Sequence, residues 1–268
     1  MNKKDFSLVV CSCDSYSDTW NAFFKCWKKN WPEFSNPIYL ISETKSVGQT
    51  DWIYDISYPL HKKNADRSWT WSRCVEEAIK EVETDYILFL LDDFWLYDKV
   101  DTVLFNRSFE ILKTNDSIGF ILLSHINKLN AFDSPCEYDE LLECGKGKPF
   151  RITTQSGLWR KDYFLKLLRM HESAWAFEPR ASWRSAHYSS KRIFCLNYNK
   201  YEDVFHYPSA GTLQAGKVIE DHMKFFDESY YKDCIHRGTI KRDAPREYSD
   251  QTSKIKAIIS KFRSILPK

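Results

Sequence analysis

Four short stretches of continuous apolar, β-forming residues constrain the fold of this chain more than any other feature. They are FSLVVC at 6–11, PIYLIS at 37–42, YILFLL at 86–91 and IGFILL at 118–123, with a weaker strand pattern at 52–57. Strands with one solvated face alternate between apolar and polar residues, whereas these runs do not. They are therefore typical of strands that are covered on both faces.

Amphipathic helical patterns separate these runs. They cover residues 17–31, 68–82 and 100–113. Strands that alternate with helices of this length predict crossover units and an α/β fold with a mainly parallel sheet. Ligands collect at the carboxyl ends of the strands in such sheets. Residues 124–149 predict a long loop or two short elements, and a regular element at 151–154 and a helix at 160–170 follow.

Charge and cysteine content exclude several classes of protein. The 39 basic and 37 acidic residues give a net charge of +2, which does not favour nucleic-acid binding. The first residues contain only a short apolar run, so we expect no signal peptide and a cytoplasmic protein. The eight cysteines form no Cys-x-x-Cys pair, so a structural zinc site is not expected. No apolar run approaches the roughly 20 residues of a membrane-spanning helix.

The segment LFLLDDFWLY, residues 88–97, places two adjacent carboxylates at the end of a predicted buried strand. Asp92 and Asp93 fit either a turn or helix cap, or a site that binds a ligand or a cation. Three large apolar residues follow them at once, which is unusual for a solvated turn. This context favours a ligand-binding crevice at the carboxyl end of the strand.

Three stretches resemble the GT-A fold glycosyltransferases that use nucleotide-activated sugars, in particular those that assemble bacterial polysaccharides. They are LVVCSCDSYSDTW at 8–20, YILFLLDDF at 86–94, and QSGLWRKDYFLKLL at 155–168 with ESAWAFE at 172–178. The resemblance extends in pattern over residues 5–210. It implies an α/β GT-A-like fold with a Rossmann-like nucleotide-binding half and an acceptor-binding half.

The resemblance also implies a set of residues that bind the nucleotide-sugar donor: Asp14, Arg73, Asp92 and Asp93. Asp14 follows the first predicted strand, where it serves either to contact the base or ribose or to cap a turn. Arg73 lies near the start of the second predicted helix, where it is placed to contact the diphosphate. Asp92 and Asp93 stand at the position of the acidic DXD-type motif.

One departure from that motif leaves open whether the site binds a divalent metal ion. The DXD-type motif has its second acid two positions after the first, and that position is Phe94 here. Asp93 remains as a ligand for a divalent Mn²⁺ or Mg²⁺ ion, yet some GT-A enzymes use basic side chains instead of a metal. The candidate basic residues are Arg73, Lys148, Arg151 and Arg160. We expect weak or absent metal dependence.

Inverting glycosyl transfer needs a carboxylate that removes the proton of the acceptor hydroxyl. The segment HESAWAFEPR offers Glu172 and Glu178. Glu178 lies between Phe177 and Pro179, an apolar setting that suits a base, and Glu172 is expected at a solvated helix end. Glu178 is therefore the predicted base, and a salt bridge from it to Arg180 or Arg184 is the alternative.

Two tryptophans of the same region, Trp159 and Trp175, are the predicted acceptor-binding residues, because sugar rings stack on indole. Burial in the core is the alternative for each of them, since large aromatic side chains dominate core packing. The resemblance places both tryptophans in the acceptor segment.

Residues 251–268 predict a separate basic amphipathic helix after a single domain at 1–250. Its apolar stripe is interspersed with Lys and Arg, and no acid follows Asp250. The pattern fits a helix that packs on the domain or on a partner, and equally one that binds an anionic membrane surface. In the second case the protein would be peripheral on the inner face of the cell membrane.

Together these features predict one enzyme domain with a nucleotide-sugar-binding half at 1–123 and an acceptor-binding half at 124–250. The predicted reaction moves a sugar from a nucleotide donor to a saccharide or lipid-linked glycan, with inversion, in surface polysaccharide biosynthesis. A nucleotidyltransferase that acts on sugar phosphates is the rival enzyme class. Such enzymes usually carry a glycine-rich phosphate loop, which CSCDSYSD lacks. A non-catalytic carbohydrate-binding protein is the non-enzyme alternative.

Overall fold

The computed structural model describes residues 5–48, 53–57, 70–124, 131–209 and 211–242. Within these residues the largest sheet has nine strands. In chain order they are β1 Phe6–Cys11, β2 Ile38–Ser42, β3 Ile53–Ser57, β4 Tyr86–Leu91, β5 Ile118–Leu122, β6 Asp133–Pro135, β7 Leu141–Cys144, β8 Gly157–Arg160 and β9 Arg192–Leu196. All five predicted strands are present, each within one residue of its predicted bounds.

The strand order is β3-β2-β1-β4-β8-β5-β9-β7-β6. The first four strands are parallel to one another, which confirms the predicted α/β fold with its parallel, doubly wound half. β8 lies antiparallel between β4 and β5, and the hairpin of β6 and β7 completes the far edge. From β1 the chain moves outward to β2 and β3 and then returns to the other side of β1 at β4. The switch point of the sheet therefore lies between β1 and β4.

Six α-helices accompany the strands in the described part of the chain. They are α1 Trp20–Asn30, α2 Trp71–Glu81, α3 Thr102–Thr114, α4 Lys161–Leu167, α5 Ala174–His187 and α6 Glu228–Tyr231. Side chains cap the N-termini of four of them: Thr70 for α2, Asp101 for α3, Ser173 for α5 and Asp227 for α6. Each cap accepts a hydrogen bond from a backbone N–H of the first turn, which has no partner within the helix.

Two apolar cores cover the two faces of the sheet. On one face α1 and α3 pack on side chains such as Leu8 and Leu88. On the other face α2, α4 and α5 pack on alternate residues of the same strands, such as Val9 and Ile87. Because successive side chains of a strand point to opposite faces, both sets must be apolar. This double coverage is the physical reason for the continuous apolar runs.

The region after β5 differs in part from prediction. Residues 124–149 contain two short strands, β6 and β7, which is one of the two predicted arrangements. The predicted regular element at 151–154 is wrong, because this segment forms no ladder. Instead it lies along α5, where Ile152 N donates to Ser182 Oγ at 2.9 Å and Thr154 N donates to Glu178 Oε1 at 2.7 Å. The strand of this region is β8, which begins only at Gly157.

The C-terminal described segment, 211–242, forms a small second sheet. Its strands are β10 Leu213–Gln214, β11 Lys217–Ile219 and β12 Thr239–Ile240, in the order β10-β11-β12. The predicted basic helix at 251–268 lies outside the described residues. Among the helices that are described, none has the length and hydropathy of a membrane span.

Candidate active site

Asp92 joins the two strands at the switch point of the sheet. It follows β4, and its Oδ2 accepts hydrogen bonds from Ser12 Oγ, at the end of β1, and from Thr19 Oγ1 at 3.3 Å. Ser12 Oγ in turn accepts from Trp20 Nε1 at 2.6 Å. Asp92 is buried, with 6% of its surface exposed. Its carboxylate therefore fixes the loop after β1 against the end of β4.

Asp93, also at the carboxyl end of β4, is the more exposed acid of the pair. It is partly exposed, and the backbone of Gly211 lies against its carboxylate so closely that a Cβ at position 211 would overlap Oδ2. Thr212 N also donates to the Asp93 carbonyl oxygen at 2.8 Å. Gly211 has φ +88°, which glycine adopts without strain. The C-terminal segment thus reaches the acidic motif through a position that only glycine fits.

Electrostatics make this pair of acids unusual. Burial raises the pKa of Asp92 to about 7, although hydrogen bonds from Ser12 and Thr19 oppose the shift. Burial, and then the neighbouring charge of Asp92, raise the pKa of Asp93 well above its ordinary value. Two carboxylates so close together ionise fully only when a cation or hydrogen-bond donors compensate them. The crevice is therefore suited to a cation or to the donor groups of a bound ligand.

A divalent cation fits this site through one protein ligand. Asp92 is committed to Ser12 and Thr19, and Phe94, at the position of the motif's last acid, is buried at 1% exposure. Asp93 is the carboxylate left for a metal. Mg²⁺ is often held by one or two carboxylates together with substrate phosphates, so Asp93 with a diphosphate is a sufficient set.

Asp14 and Glu43 join the loops after β1 and β2. Asp14 Oδ1 accepts from Thr44 N and Lys45 N, each at 2.9 Å, and Glu43 accepts from Asp14 N. Burial tends to raise the pKa of Asp14, but these hydrogen bonds outweigh it and hold that pKa below its ordinary value. Asp14 therefore fixes the loop after β2 and does not cap the next helix, whose N-cap residue is Thr19. Sequence analysis missed Glu43, although it directly follows a predicted parallel strand.

Arg73 lies in the first turn of α2 and is half-buried. Burial, and then the charge of Glu43, raise the pKa of the Cys74 thiol to about 11, and the charge of Arg73 opposes the shift. Trp71, at the start of α2, packs on Phe177 of α5 with ring centroids 5.5 Å apart. Trp71 is thus a packing residue.

Glu178 lies in α5, one turn after its start, and is partly buried. Its Oε1 accepts three hydrogen bonds: from Thr153 Oγ1 at 2.8 Å, Thr154 N at 2.7 Å and Thr154 Oγ1 at 2.9 Å. No hydrogen bond from the described residues reaches Oε2. One oxygen therefore fixes the carboxylate, and the other is left to accept a proton.

The expected solvated position of Glu172 is wrong. Its side chain is fully buried and forms a bidentate ion pair with Arg184, with both N–O distances at 2.7 Å. Arg184 Nη2 also donates to the Leu167 carbonyl at 2.6 Å. Arg184 is thus the partner of Glu172, and the alternative in which it pairs with Glu178 does not occur.

The two predicted acceptor tryptophans have opposite environments. Trp159 lies in β8 with none of its surface exposed, and its ring stacks on Phe120 at 3.9 Å between centroids. Its predicted contact with an acceptor is wrong, because the ring belongs to the core. Trp175 is 74% exposed and lies one turn before Glu178 on α5. Its exposed ring lies on the same helix as that carboxylate.

Three of the four basic residues suggested for the diphosphate are structural. Arg160 donates to the carbonyls of Ile118 and Leu112, and Arg151 donates to Ser185 Oγ at 3.0 Å. Lys148 is buried, with its Nζ 2.7 Å from Asp133 Oδ2. Each of these three side chains is bound to partners within the fold, so none of them is placed to contact a leaving group.

Lys148 also explains a cluster of potential metal ligands. Asp133, Cys144 and Cys195 bring their ligand atoms within 4.8 Å of one another. The Lys148 Nζ lies among them, 3.7 Å from the Cys144 sulfur and 3.9 Å from the Cys195 sulfur. The ammonium group already neutralises the carboxylate, so this cluster is better explained as a buried ion pair than as a metal centre.

Sequence analysis also missed the contact that holds the C-terminal segment to the crevice. Arg237 donates to both Asp18 oxygens, at 2.7 and 2.6 Å, and its guanidinium lies 4.8 Å from the ring centre of Tyr16. The charges of Asp93 and Asp92 help to raise the pKa of Tyr16, after burial itself. These partners are more than 200 residues apart, and no local pattern links them.

Comparison with known proteins finds similarity at the level of solved structures only. No family model and no curated protein matches the chain. A fragment of S. aureus TarS in complex with UDP is 13% identical, with a TM-score of 0.48 over 75% of this chain and 59% of that one. The same fragment with UDP-GlcNAc has 11% identity and a TM-score of 0.45 over 86% and 64%.

An active-site mutant of LgtC is also similar, at 11% identity and a TM-score of 0.36 over 68% of this chain and 64% of that one. The chain thus spans less than two thirds of the length of each of these structures. All three TM-scores lie below 0.5, so the function has to be inferred from the site itself.

Proposed function

We propose that this protein is a glycosyltransferase that moves a sugar from a nucleotide-activated donor to a saccharide or lipid-linked glycan acceptor, with inversion. The observation that carries the proposal is the placement of Asp92 and Asp93 at the switch point between β1 and β4. Ligands bind in the crevice outside the carboxyl ends of the strands at that point in open α/β sheets. A role in surface polysaccharide biosynthesis is part of the proposal.

The donor is proposed to bind with its nucleoside along the loops after β1 and β2. Asp14, Glu43 and Arg73 lie around these loops, and the diphosphate then extends toward Asp93. When a divalent ion is bound, it neutralises the charge that develops on the leaving diphosphate. Asp93 would hold that ion, and Asp92 would keep the loop after β1 in place through Ser12.

The acceptor is proposed to bind beside α5, with a sugar ring on Trp175 and the reacting hydroxyl at Glu178. Glu178 Oε2 takes the hydroxyl proton while the acceptor oxygen attacks the anomeric carbon from the face opposite the diphosphate. The bond from that carbon to the diphosphate oxygen breaks, and its electron pair leaves with the nucleoside diphosphate. Oε1, held by Thr153 and Thr154, keeps the carboxylate in orientation.

The deciding experiment measures binding and turnover with a panel of sugar nucleotides. Donor binding should raise the melting temperature, and slow hydrolysis of the matching donor should release nucleoside diphosphate. Release of pyrophosphate from a nucleoside triphosphate and a sugar phosphate would instead indicate a nucleotidyltransferase. Stabilisation by free saccharides, without turnover of any nucleotide sugar, would indicate a carbohydrate-binding protein.

We also propose that residues 252–268 bind an anionic membrane surface, on the basis of their sequence alone. The segment carries Lys and Arg without any acid, which suits vesicles that contain anionic lipid. Sedimentation with anionic and with neutral vesicles, for the full chain and for a chain ending at 250, tests this. Equal binding of both chains would refute the assignment.

A further inference from the structure

An aromatic stack connects the acidic motif to the segment after β9. The rings of Phe94 and Tyr207 are parallel within 5°, with their centroids 4.4 Å apart. Phe94 directly follows Asp93 and is buried. The stack therefore fixes the position of Tyr207 relative to the acid that faces the crevice.

The Tyr207 hydroxyl contacts the segment that leads into β8. It donates to Gln155 Oε1 at 3.2 Å and accepts from Ser156 N at 3.3 Å, and the Ser156 hydroxyl lies 3.0 Å away. Burial raises the pKa of Tyr207 to about 12, so the hydroxyl keeps its proton at neutral pH. The Tyr207 hydroxyl therefore always has a proton to donate in this hydrogen-bond network.

The same segment holds the carboxylate of Glu178. Thr153 and Thr154, immediately before Gln155, donate the three hydrogen bonds to Glu178 Oε1. Asp93 and Glu178 are thus joined by a continuous series of contacts through Phe94, Tyr207 and residues 153–156. Each step is a ring stack, a covalent bond or a hydrogen bond of 2.7–3.3 Å.

We infer that Tyr207 is a positioning residue that sets the Glu178 carboxylate relative to the donor at Asp93. This inference rests on the proposed glycosyl transfer. Reacting groups that are misplaced by a fraction of an ångström lose much of the advantage of proximity, so a residue between the two sites can govern turnover without touching substrate. The expected signature is a loss in kcat at unchanged donor KM.

Tyr207→Phe tests the inference, because it keeps the stack on Phe94 and removes only the hydroxyl. We expect kcat for transfer to fall about tenfold, with donor KM unchanged and hydrolysis of the donor by water retained. Tyr198→Phe is the matched control, since it removes a hydroxyl that donates to Asp133 at 3.1 Å in the buried Lys148 cluster. Equal kcat values for Tyr207→Phe, Tyr198→Phe and the wild type would overturn the inference.

A second measurement needs no turnover. Backbone hydrogen exchange at 153–157 should be faster in Tyr207→Phe than in the wild type, and unchanged in Tyr198→Phe. Unchanged exchange in Tyr207→Phe would also overturn the inference. Faster exchange in a protein that binds sugar nucleotides but transfers no sugar would refute the proposed transfer, while it would establish that Tyr207 holds the segment.

Discussion

Ser12 Oγ donates a hydrogen bond to Asp92 Oδ2 across the boundary between β1 and β4. The two residues are 80 positions apart, and they meet because the strand order of the sheet reverses at this boundary. This bond gives the two acids different roles, because Asp92 fixes the loop after β1 whereas Asp93 is left to face the crevice. The two acids should therefore respond differently to substitution.

Asp93→Ala should abolish transfer and leave the fold intact. The side chain lies at the crevice, so its loss removes the ligand for the donor diphosphate or its cation without opening the core. We expect kcat/KM to fall by at least about 10²-fold, the scale of one lost electrostatic contact in an active site. Steady-state kinetics with the matching donor measure it. Asp98→Ala, an exposed acid five residues later, is the control and should behave as wild type. Wild-type turnover in Asp93→Ala would refute the donor-site assignment.

The acidic pair should make stability fall as pH rises. A carboxyl whose pKa is raised by folding binds its proton more tightly in the folded state than in the unfolded state. The contribution of Asp92 to the free energy of unfolding is therefore lost as the pH rises from about 4 to about 7. The lower limit is the ordinary pKa of Asp, and the upper limit is the pKa to which burial raises Asp92. Urea unfolding across this range measures the slope of the free energy of unfolding against pH. Asp93→Asn should make this slope smaller, because one of the two interacting charges is gone. A slope that Asp93→Asn leaves unchanged would contradict the assigned coupling.

Metal removal should have a small effect on transfer. Asp93 is the one carboxylate of the motif that is left for a cation, because Asp92 is hydrogen-bonded to Ser12 and Phe94 is buried. We expect EDTA to reduce kcat/KM by less than tenfold, whereas loss of an essential metal removes several kcal/mol of transition-state stabilisation. Complete loss of activity with EDTA and recovery with Mn²⁺ would show that the site depends on its metal.

The parallel half of the fold could be predicted from sequence because its signals are local. Runs such as residues 86–91 are apolar throughout, and both faces of that strand are covered. Asp92 and Asp93 were found for the same reason, since they end such a run. Glu43 directly follows another such run, residues 37–42, so the same reasoning indicates it as well, although it was not among the predicted site residues.

The region after β5 could not be predicted to the same depth because its contacts are distant in sequence. Glu172 looks like a surface acid beside His171, and only the fold brings Arg184 to it in the interior. Trp159 looks like an exposed indole beside a glycine, yet β8 inserts between β4 and β5 and places it in the core. Arg237 and Asp18 are 219 residues apart. Periodicity carries no information on such pairs.

Trp175→Ala should weaken acceptor binding without loss of stability. The side chain is 74% exposed, so little apolar burial is lost when it is removed. Stacking of a ring on an aromatic side chain is worth about 1 kcal/mol, so acceptor KM should rise roughly fivefold at unchanged donor KM. Trp183→Ala is the control, because that indole lies near the end of α5 and stacks on His187. An equal effect of both substitutions on acceptor KM would contradict the assignment.

Glu178→Gln should reduce turnover while donor binding and the fold survive. Glutamine keeps an oxygen for the hydrogen bonds from Thr153 and Thr154, but it accepts no proton at neutral pH. We expect kcat to fall by roughly 10² to 10⁴, the usual contribution of a general base. Calorimetry with the donor and thermal unfolding show whether binding and stability persist.

Glu172→Gln provides the contrast that makes the test of Glu178 decisive. This substitution leaves the buried Arg184 guanidinium without its counter-charge, which should destabilise the protein by about 3–5 kcal/mol. The folded fraction should retain wild-type kcat, because Glu172 lies inside the fold with none of its surface exposed. If folded Glu172→Gln were inactive and Glu178→Gln active, the base would have to be reassigned to Glu172. If both were active, the proton would have to go to an acid other than Glu172 and Glu178.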